Sequence, residues 1–227
     1  QRYVYWVDHL ADGWTINQHD ILTGVNRVIK KTDMRIQALS IYDGYIAYIV
    51  KIDDIHNNVA LVTLSNLSER TLTDGKSQSS GVTLFKNFVV WSQYPHALNT
   101  DEAHVKGDIM SYQIDSQYSH VLIPSLEGIG YVELTGTTLA FIQRVSNTSV
   151  ISIYYMNTGN SYQLTSSDKN SVYPSLSADT IAYITLGDGQ KQISYFRFGS
   201  NQWGTLSTAS ASKMPPQVSQ DGKKIAW

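Results

Sequence analysis

Three features of the 227-residue sequence predict an all-β fold made of repeated four-stranded antiparallel sheets. A motif of strand, tight turn and strand ending in an aromatic residue recurs along the whole chain. The segments between turns are short and rich in Tyr, Ile and Val, and no stretch shows apolar residues at helical spacing over about three turns. Repeats of roughly 40–50 residues with four strands each are typical of β-propeller blades. We therefore predict a single β-propeller domain over residues 1–227.

The clearest copy of the motif is Pro216–Trp227, in which Asp221 and Gly222 form the turn. Glycine adopts positive φ without steric strain, and aspartate accepts hydrogen bonds from the backbone just after it. The remaining copies, two close and two looser, are Ala38–Tyr48, Tyr173–Tyr183, Gly81–Trp91 and Tyr131–Phe141. Each copy predicts a hairpin whose last aromatic residue is buried in the core.

The closing aromatic residues give the period of the repeat. They are Trp6, Tyr48, Trp91, Phe141, Tyr183 and Trp227, at intervals of 42, 43, 50, 42 and 44 residues. The longest interval contains a polar insertion, Gln93–Gly107. Because antiparallel strands must pair within each unit and each blade needs neighbours, we expect the units to close into a ring.

The predicted blades are residues 36–75, 79–125, 128–167 and 171–209, with a fifth formed by 1–32 together with 216–227. The second strand of that fifth blade is supplied twice, by Tyr3–Trp6 and by Lys224–Trp227. Five blades are therefore the leading prediction. The alternative is a propeller of six or more blades of which this chain is a fragment.

The motif resembles the TolB-type β-propeller repeat, in which a proline and a serine precede Asp-Gly and then Ile-Ala-aromatic. Pro216–Trp227 and Pro174–Tyr183 fit this pattern best, and Gln163–Thr165 and Thr71–Thr73 match the closing Leu-Thr of the family. The third unit departs from it because no glycine follows Asn87. The resemblance covers nearly the whole chain and implies a propeller that acts as an interaction module.

Composition excludes several classes of function. Charged residues make up 16% of the chain and the net charge is -2, so no basic surface for nucleic acid or anionic membrane is expected. The absence of cysteine excludes disulfides, thiolate metal sites and cysteine nucleophiles. No stretch approaches the roughly 18 apolar residues of a membrane span. A surface rich in uncharged polar residues favours an extracellular, cell-surface or periplasmic location, and a start at Gln1 is expected for a mature or excised segment.

Candidate ligand-binding residues are concentrated in the links between the second and third strands, which emerge on one face of a propeller. They are Asp8, His9, Asp54, His56, His96, Glu102, His104 and Asp188. They predict a polar binding surface, and no metal or cofactor is predicted because no ligand spacing is matched. Two glycosylation triplets, at Asn66 and Asn147, are further candidates for modification.

The leading functional hypothesis is a non-catalytic module that binds a protein or a surface polysaccharide through this loop face, with no nucleic-acid partner. The first alternative is a carbohydrate-binding or carbohydrate-cleaving propeller. Cleavage requires two facing carboxyl groups, for which Asp8, Asp54 and Glu102 are the candidates. The second alternative is the regulatory propeller of a larger hydrolase, although this chain has no Gly-x-Ser-x-Gly nucleophile motif.

Overall fold

The computed structural model describes residues 2–95, 105–187, 190–207 and 214–227, and its regular elements are all β-strands. They form two compact units, residues 1–99 with 111–120 and residues 100–110 with 121–227. The described residues include no helix long and apolar enough to cross a membrane. The expectation of an all-β fold is confirmed.

The first unit begins with a three-stranded sheet and continues with a four-stranded sheet, both antiparallel and in chain order. The strands of the first sheet are β1 Tyr3–Leu10, β2 Gly13–Asp20 and β3 Asn26–Thr32. The strands of the second are β4 Ile36–Tyr42, β5 Tyr45–Lys51, β6 Asn57–Thr63 and β7 Ser68–Thr71. Asp43 and Gly44 join β4 to β5 with φ values of 35° and 88°, which confirms the predicted turn.

A third sheet has the order β11-β10-β9-β8. Its strands are β8 Gln78–Phe85, β9 Phe88–Tyr94, β10 Lys106–Gln113 and β11 Tyr118–Glu127. The turn at Asn87 needs no glycine, because Lys86 takes the positive φ of 51°. The departure from the repeat pattern at this point therefore leaves the hairpin intact.

The second unit contains two further four-stranded sheets and a short hairpin. The fourth sheet has β12 Val132–Thr135, β13 Thr138–Val145, β14 Thr148–Tyr155 and β15 Asn160–Gln163. The fifth has β16 Asn170–Leu176, β17 Thr180–Gly187, β18 Gln190–Arg197 and β19 Gln202–Ser207. The hairpin pairs β20 Gln217–Val218 with β21 Ile225–Ala226.

The turn of this last hairpin has the predicted chemistry. Gly222 has a φ of 70° and its amide donates to the carbonyl of Ser219, while the carboxylate of Asp221 accepts from the amide of Lys223 at 3.1 Å. The hairpin is a two-stranded sheet of its own. The joining of residues 216–227 with residues 1–32 in one blade stays a prediction, as does the number of blades.

The hydrophobic core of each unit lies between its sheets. Ile16, Ile46 and Tyr48 belong to the core cluster of the first unit, and Ile151 and Ile181 to that of the second. The four internal closing aromatic residues are buried as predicted: Tyr48, Trp91, Phe141 and Tyr183. The two outer ones differ, because Trp6 is partly buried and half of Trp227 is exposed.

Candidate functional site

A groove of about 390 Å³ lies at one end of the second sheet, between the link that precedes β4 and the link that follows β5. Because β4 and β5 are antiparallel, the start of one lies beside the end of the other. Ile36 pairs with Val50, and the amide of Lys51 donates to the carbonyl of Arg35 at 2.8 Å. We call this feature the first-unit groove, and its lining residues are Asp33, Met34, Arg35, Lys51, Ile52, Asp53 and Asp54.

The loop on one side of the groove is held in shape by Asp53. Its Oδ1 accepts hydrogen bonds from the amides of Ile55 at 2.8 Å and His56 at 2.7 Å, and its Oδ2 lies 2.9 Å from Nδ1 of His56. The side-chain hydrogen bond with His56 and these backbone amides lower the pKa of Asp53 to about 2. Asp53 and His56 therefore stabilise the loop, and both carboxylate oxygens of Asp53 and Nδ1 of His56 have partners within it.

The neighbouring carboxylate is available at the surface. The side chain of Asp54 is fully exposed, and its Oδ1 lies 2.9 Å from Nζ of Lys51, which is largely covered. An ion pair of this kind is screened by solvent and contributes little to folding. Asp54 and Lys51 thus present one charge of each sign at the groove.

Exposed apolar side chains lie in the same two links as these charges. Met34, Ile52 and Ile55 are all exposed, although burial in a core is the usual position for such residues. A surface that combines exposed aliphatic side chains with charges of both signs is suited to protein recognition. Sequence reasoning missed Met34, Arg35, Ile52 and Ile55, because it searched the links only for acids and histidines.

Two ring contacts connect His9 with the groove residue Arg35. Its imidazole stacks on Trp14, with ring centroids 4.4 Å apart and planes 21° apart. The guanidinium of Arg35, which lines the groove, lies 6.0 Å from the centroid of the Trp14 ring. The structure therefore connects His9 with the groove through one tryptophan and one arginine.

The placement of Asp8 and His9 in a loop was wrong, because both belong to β1. Asp8 pairs with Thr15 and His9 pairs with Trp14, which leaves only Ala11 and Asp12 between β1 and β2. The stacking of His9 on Trp14 extends the ladder beyond the predicted end of the strand. Since side chains alternate along a strand, Asp8 lies on the opposite face from His9, where it accepts from Nε1 of Trp6 at 3.4 Å.

The remaining candidates have mixed outcomes. His96, Glu102, His104 and Asp188 lie outside the described residues. Asn66 and Asn147 occupy exposed turns between strands, after β6 and β13 respectively. Their modification stays a prediction. Among the described residues, no group of three His, Asp or Glu side chains could hold a metal ion.

A second cavity in the first unit, of about 380 Å³, lies along β6, β7 and the turn after β10. Two of its charged side chains, Glu69 and Arg70, already have partners. Oε2 of Glu69 lies 2.6 Å from Nζ of Lys30, and Nη1 of Arg70 donates to the hydroxyl of Tyr112 at 2.9 Å. These contacts explain the polarity of the cavity without a ligand, so the first-unit groove is the stronger candidate.

The fold is shared with solved propeller structures. TolB from Acinetobacter baumannii is 14% identical with a TM-score of 0.71, over 98% of this chain and 57% of that chain. An oligogalacturonate lyase in complex with manganese is 11% identical with a TM-score of 0.72, over 99% of this chain and 66% of that chain. The nidogen/laminin complex gives 12% identity and a TM-score of 0.63, over 91% of this chain and 76% of that chain.

These likenesses show a β-propeller fold, as in TolB, which confirms the predicted fold class. The chain spans 57% and 66% of the length of the first two structures. No family model and no curated protein sequence matches the chain. Because identity is at most 14% in these comparisons, the likeness concerns the fold and leaves the function to be argued from the site.

Proposed function

We propose that this chain is a non-catalytic propeller of the cell surface, periplasm or extracellular space that binds a partner protein through the first-unit groove. The observation that carries the proposal is the exposure of Met34 and Ile52 in the lining of a groove that also displays Lys51 and Asp54. Ile55, in the link that follows β5, is exposed as well. Aliphatic contacts supply affinity when they are covered, and rim charges select the partner and its orientation.

The comparisons support this proposal at the level of fold. One similar structure is a propeller in complex with a protein, the nidogen/laminin complex, and another is TolB. The proposed location is supported by composition, since charged residues make up only 16% of the chain. A surface polysaccharide is a weaker ligand for the groove, because its exposed side chains are mainly aliphatic and charged rather than aromatic.

Site-specific photo-crosslinking tests the proposal. A photoreactive amino acid replaces Ile55 at the groove or, as a matched control, the exposed Leu67 in the turn between β6 and β7, at the opposite end of the same sheet. We expect a defined protein adduct in the producing cells from position 55 only. With the crosslinked protein purified, Ile52→Asp and Ile55→Asp are expected to weaken binding about tenfold or more, and Leu67→Asp to leave it unchanged. Equal adducts at both positions, or full affinity in both groove variants, would refute the proposal.

A carbohydrate-active propeller is the second candidate, and the fold likeness to an oligogalacturonate lyase is the observation that favours it. The direct assay is incubation of the purified chain with oligogalacturonate and Mn²⁺, followed by mass spectrometry of the products. The non-catalytic proposal expects an unchanged substrate. Shortened products that depend on Mn²⁺ would replace it with the enzymatic one.

A further inference from the structure

A second group of residues, in the other unit, lies on the first strands of the fourth and fifth sheets. The amide of Ile142 donates to the carbonyl of Tyr131 at 3.1 Å, so the ladder between β12 and β13 extends back to that residue. Tyr131, Glu133 and Thr135 alternate with the buried Val132 and Leu134, and therefore share one face of the strand.

This face is directed toward the fifth sheet. Glu133 lies opposite Ala140, which belongs to the same core cluster as Leu176 of β16. Two residues further along, Oγ1 of Thr135 donates to the carbonyl of Leu176 at 3.2 Å. The side chain of Glu133 thus begins in the interface between two sheets of one unit.

Tyr173 of β16 contributes an aromatic ring at the same place. Its ring lies edge-on to that of Tyr131, with centroids 6.2 Å apart and an angle of 80° between the planes. Tyr131 is 39% exposed and Tyr173 is 46% exposed, so a ligand can reach part of the pair from solvent.

The backbone of Tyr173 is strained. It has a φ of 53° at an irregularity of the β16–β17 ladder between Val172 and Ser175. Positive φ in a bulky residue other than glycine is unfavourable, and such strain is concentrated at binding sites. A ring that is half exposed does not recover this energy by burial.

Glu133 has no compensating charge. Within the described residues it makes no ion pair and no hydrogen bond, and its polar neighbour is Tyr131, whose pKa is raised by burial and then by Glu133. Burial alone raises the pKa of Glu133 to about 7. A carboxylate here is a desolvated negative charge close to Tyr131, whose ring contacts that of Tyr173.

The chemistry that complements this arrangement is narrow. An anion is repelled by the carboxylate, and a metal ion requires more than one protein ligand among the described residues. An organic ammonium ion pairs with the carboxylate and is attracted to the faces of the tyrosine rings. We propose that Tyr131, Glu133 and Tyr173 form a binding site for an organic ammonium group, either of a free amine or of a lysine side chain of a partner. This site is separate from the first-unit groove and does not depend on the function proposed for it.

Binding is expected to follow the ionisation of Glu133. The charged and titratable side chains on the strands around this face include Tyr131, Tyr173, Tyr183 and, further along β13 on the face of Ala140, Arg144. The pKa of Tyr183 is raised to about 12 by burial, and burial is the cause of the raised pKa of Glu133. With a pKa of about 7, Glu133 is about one-tenth ionised at pH 6 and nine-tenths at pH 8. The affinity for a cation is therefore expected to be about tenfold higher at pH 8 than at pH 6.

The test is a titration of the isotope-labelled chain followed by the amide signals of Tyr131, Glu133 and Tyr173 in NMR spectra. The probes are n-butylammonium, a capped Gly-Lys-Gly peptide and, as a neutral control, 1-butanol. We expect saturable shifts with both cations and none with 1-butanol. Tighter binding of butylammonium than of the peptide assigns the site to free amines, and the reverse order assigns it to lysine side chains.

Matched variants separate recognition from folding. Glu133→Gln and Tyr173→Leu are each expected to weaken cation binding at pH 8 by about fivefold or more, whereas Tyr173→Phe retains it. Asp168→Asn removes a carboxylate from an exposed position of the same unit and serves as the control. The proposal is overturned if neither cation binds, if 1-butanol shifts the same signals, or if Glu133→Gln binds the cations as well as the wild type.

Discussion

Replacing Glu133 with glutamine is expected to remove one step from the pH dependence of stability. The carboxyl has an ordinary pKa of 4.5, and burial in the fold raises it to about 7. The folded protein therefore holds this proton more tightly than the unfolded chain does. The stability that it contributes is fully present below pH 4.5 and is lost as the pH rises through 7.

The size of the step follows from the shift in pKa. One pKa unit corresponds to about 1.4 kcal/mol, so the wild type is expected to lose about 3 kcal/mol between pH 4.5 and pH 8 through this group. The glutamine amide has nearly the same shape and does not titrate. Any penalty for burying the amide is the same at both pH values and cancels from the comparison.

The assay is urea-induced unfolding of wild type and Glu133→Gln at pH 4.5 and pH 8, each followed by tyrosine and tryptophan fluorescence. We expect the variant to gain about 2–3 kcal/mol relative to wild type on going from the lower to the higher pH. Asp168→Asn is the control, because its pKa is lowered and the sign of its effect is opposite. Parallel pH profiles for wild type and Glu133→Gln would show that the carboxyl is solvated or paired, which would refute the reasoning.

Other substitutions test the packing, a turn and a loop. Trp91→Ala is expected to cost about 3–5 kcal/mol in thermal or urea unfolding, because the buried indole leaves a large cavity; a loss below about 1 kcal/mol would contradict its place in the core. Gly13→Ala is expected to destabilise more than Gly24→Ala in the same measurement: both glycines have positive φ, but an added methyl at Gly13 meets the carbonyl oxygen of Thr32, while Gly24 has open space. Equal losses would show that φ alone determines the effect. Asp53→Ala is expected to speed hydrogen exchange of the two loop amides that it accepts from, with no change in the strands, and unchanged exchange would contradict its role in the loop.

The repeat could be predicted from the sequence because its signals are local. Asp43 with Gly44 and Asp221 with Gly222 specify turns by their own backbone preferences, and the aromatic residue that closes each hairpin specifies the buried face. These signals survive at 14% identity or less to other propellers. The residue at which a strand ends was less predictable. The extension of β1 to His9, for example, depends on a cross-strand contact with Trp14.

The candidate surfaces were predicted only in part, for a physical reason. Charged residues between strands are visible in a sequence, yet Asp53 and His56 satisfy each other and stabilise their own loop. The exposure of Met34 and Ile52 could not be predicted, because hydrophobicity alone does not reveal on which side of a link a side chain lies.

The role of Glu133 was also predictable only in part from the sequence. Its position between Val132 and Leu134 predicts which face of β12 it shares, but the absence of a counter-ion among the described residues depends on the neighbouring sheet. In this repeat the first strand of each sheet pairs antiparallel with the second. The link before the first strand therefore lies beside the link after the second, as the hydrogen bond between Lys51 and Arg35 shows. A residue near the start of a first strand therefore reaches a ligand as readily as a loop residue does. It is held more rigidly because the ladder fixes its backbone. For this fold, unpaired polar residues near the starts of first strands merit the same scrutiny as the acids and histidines of the loops.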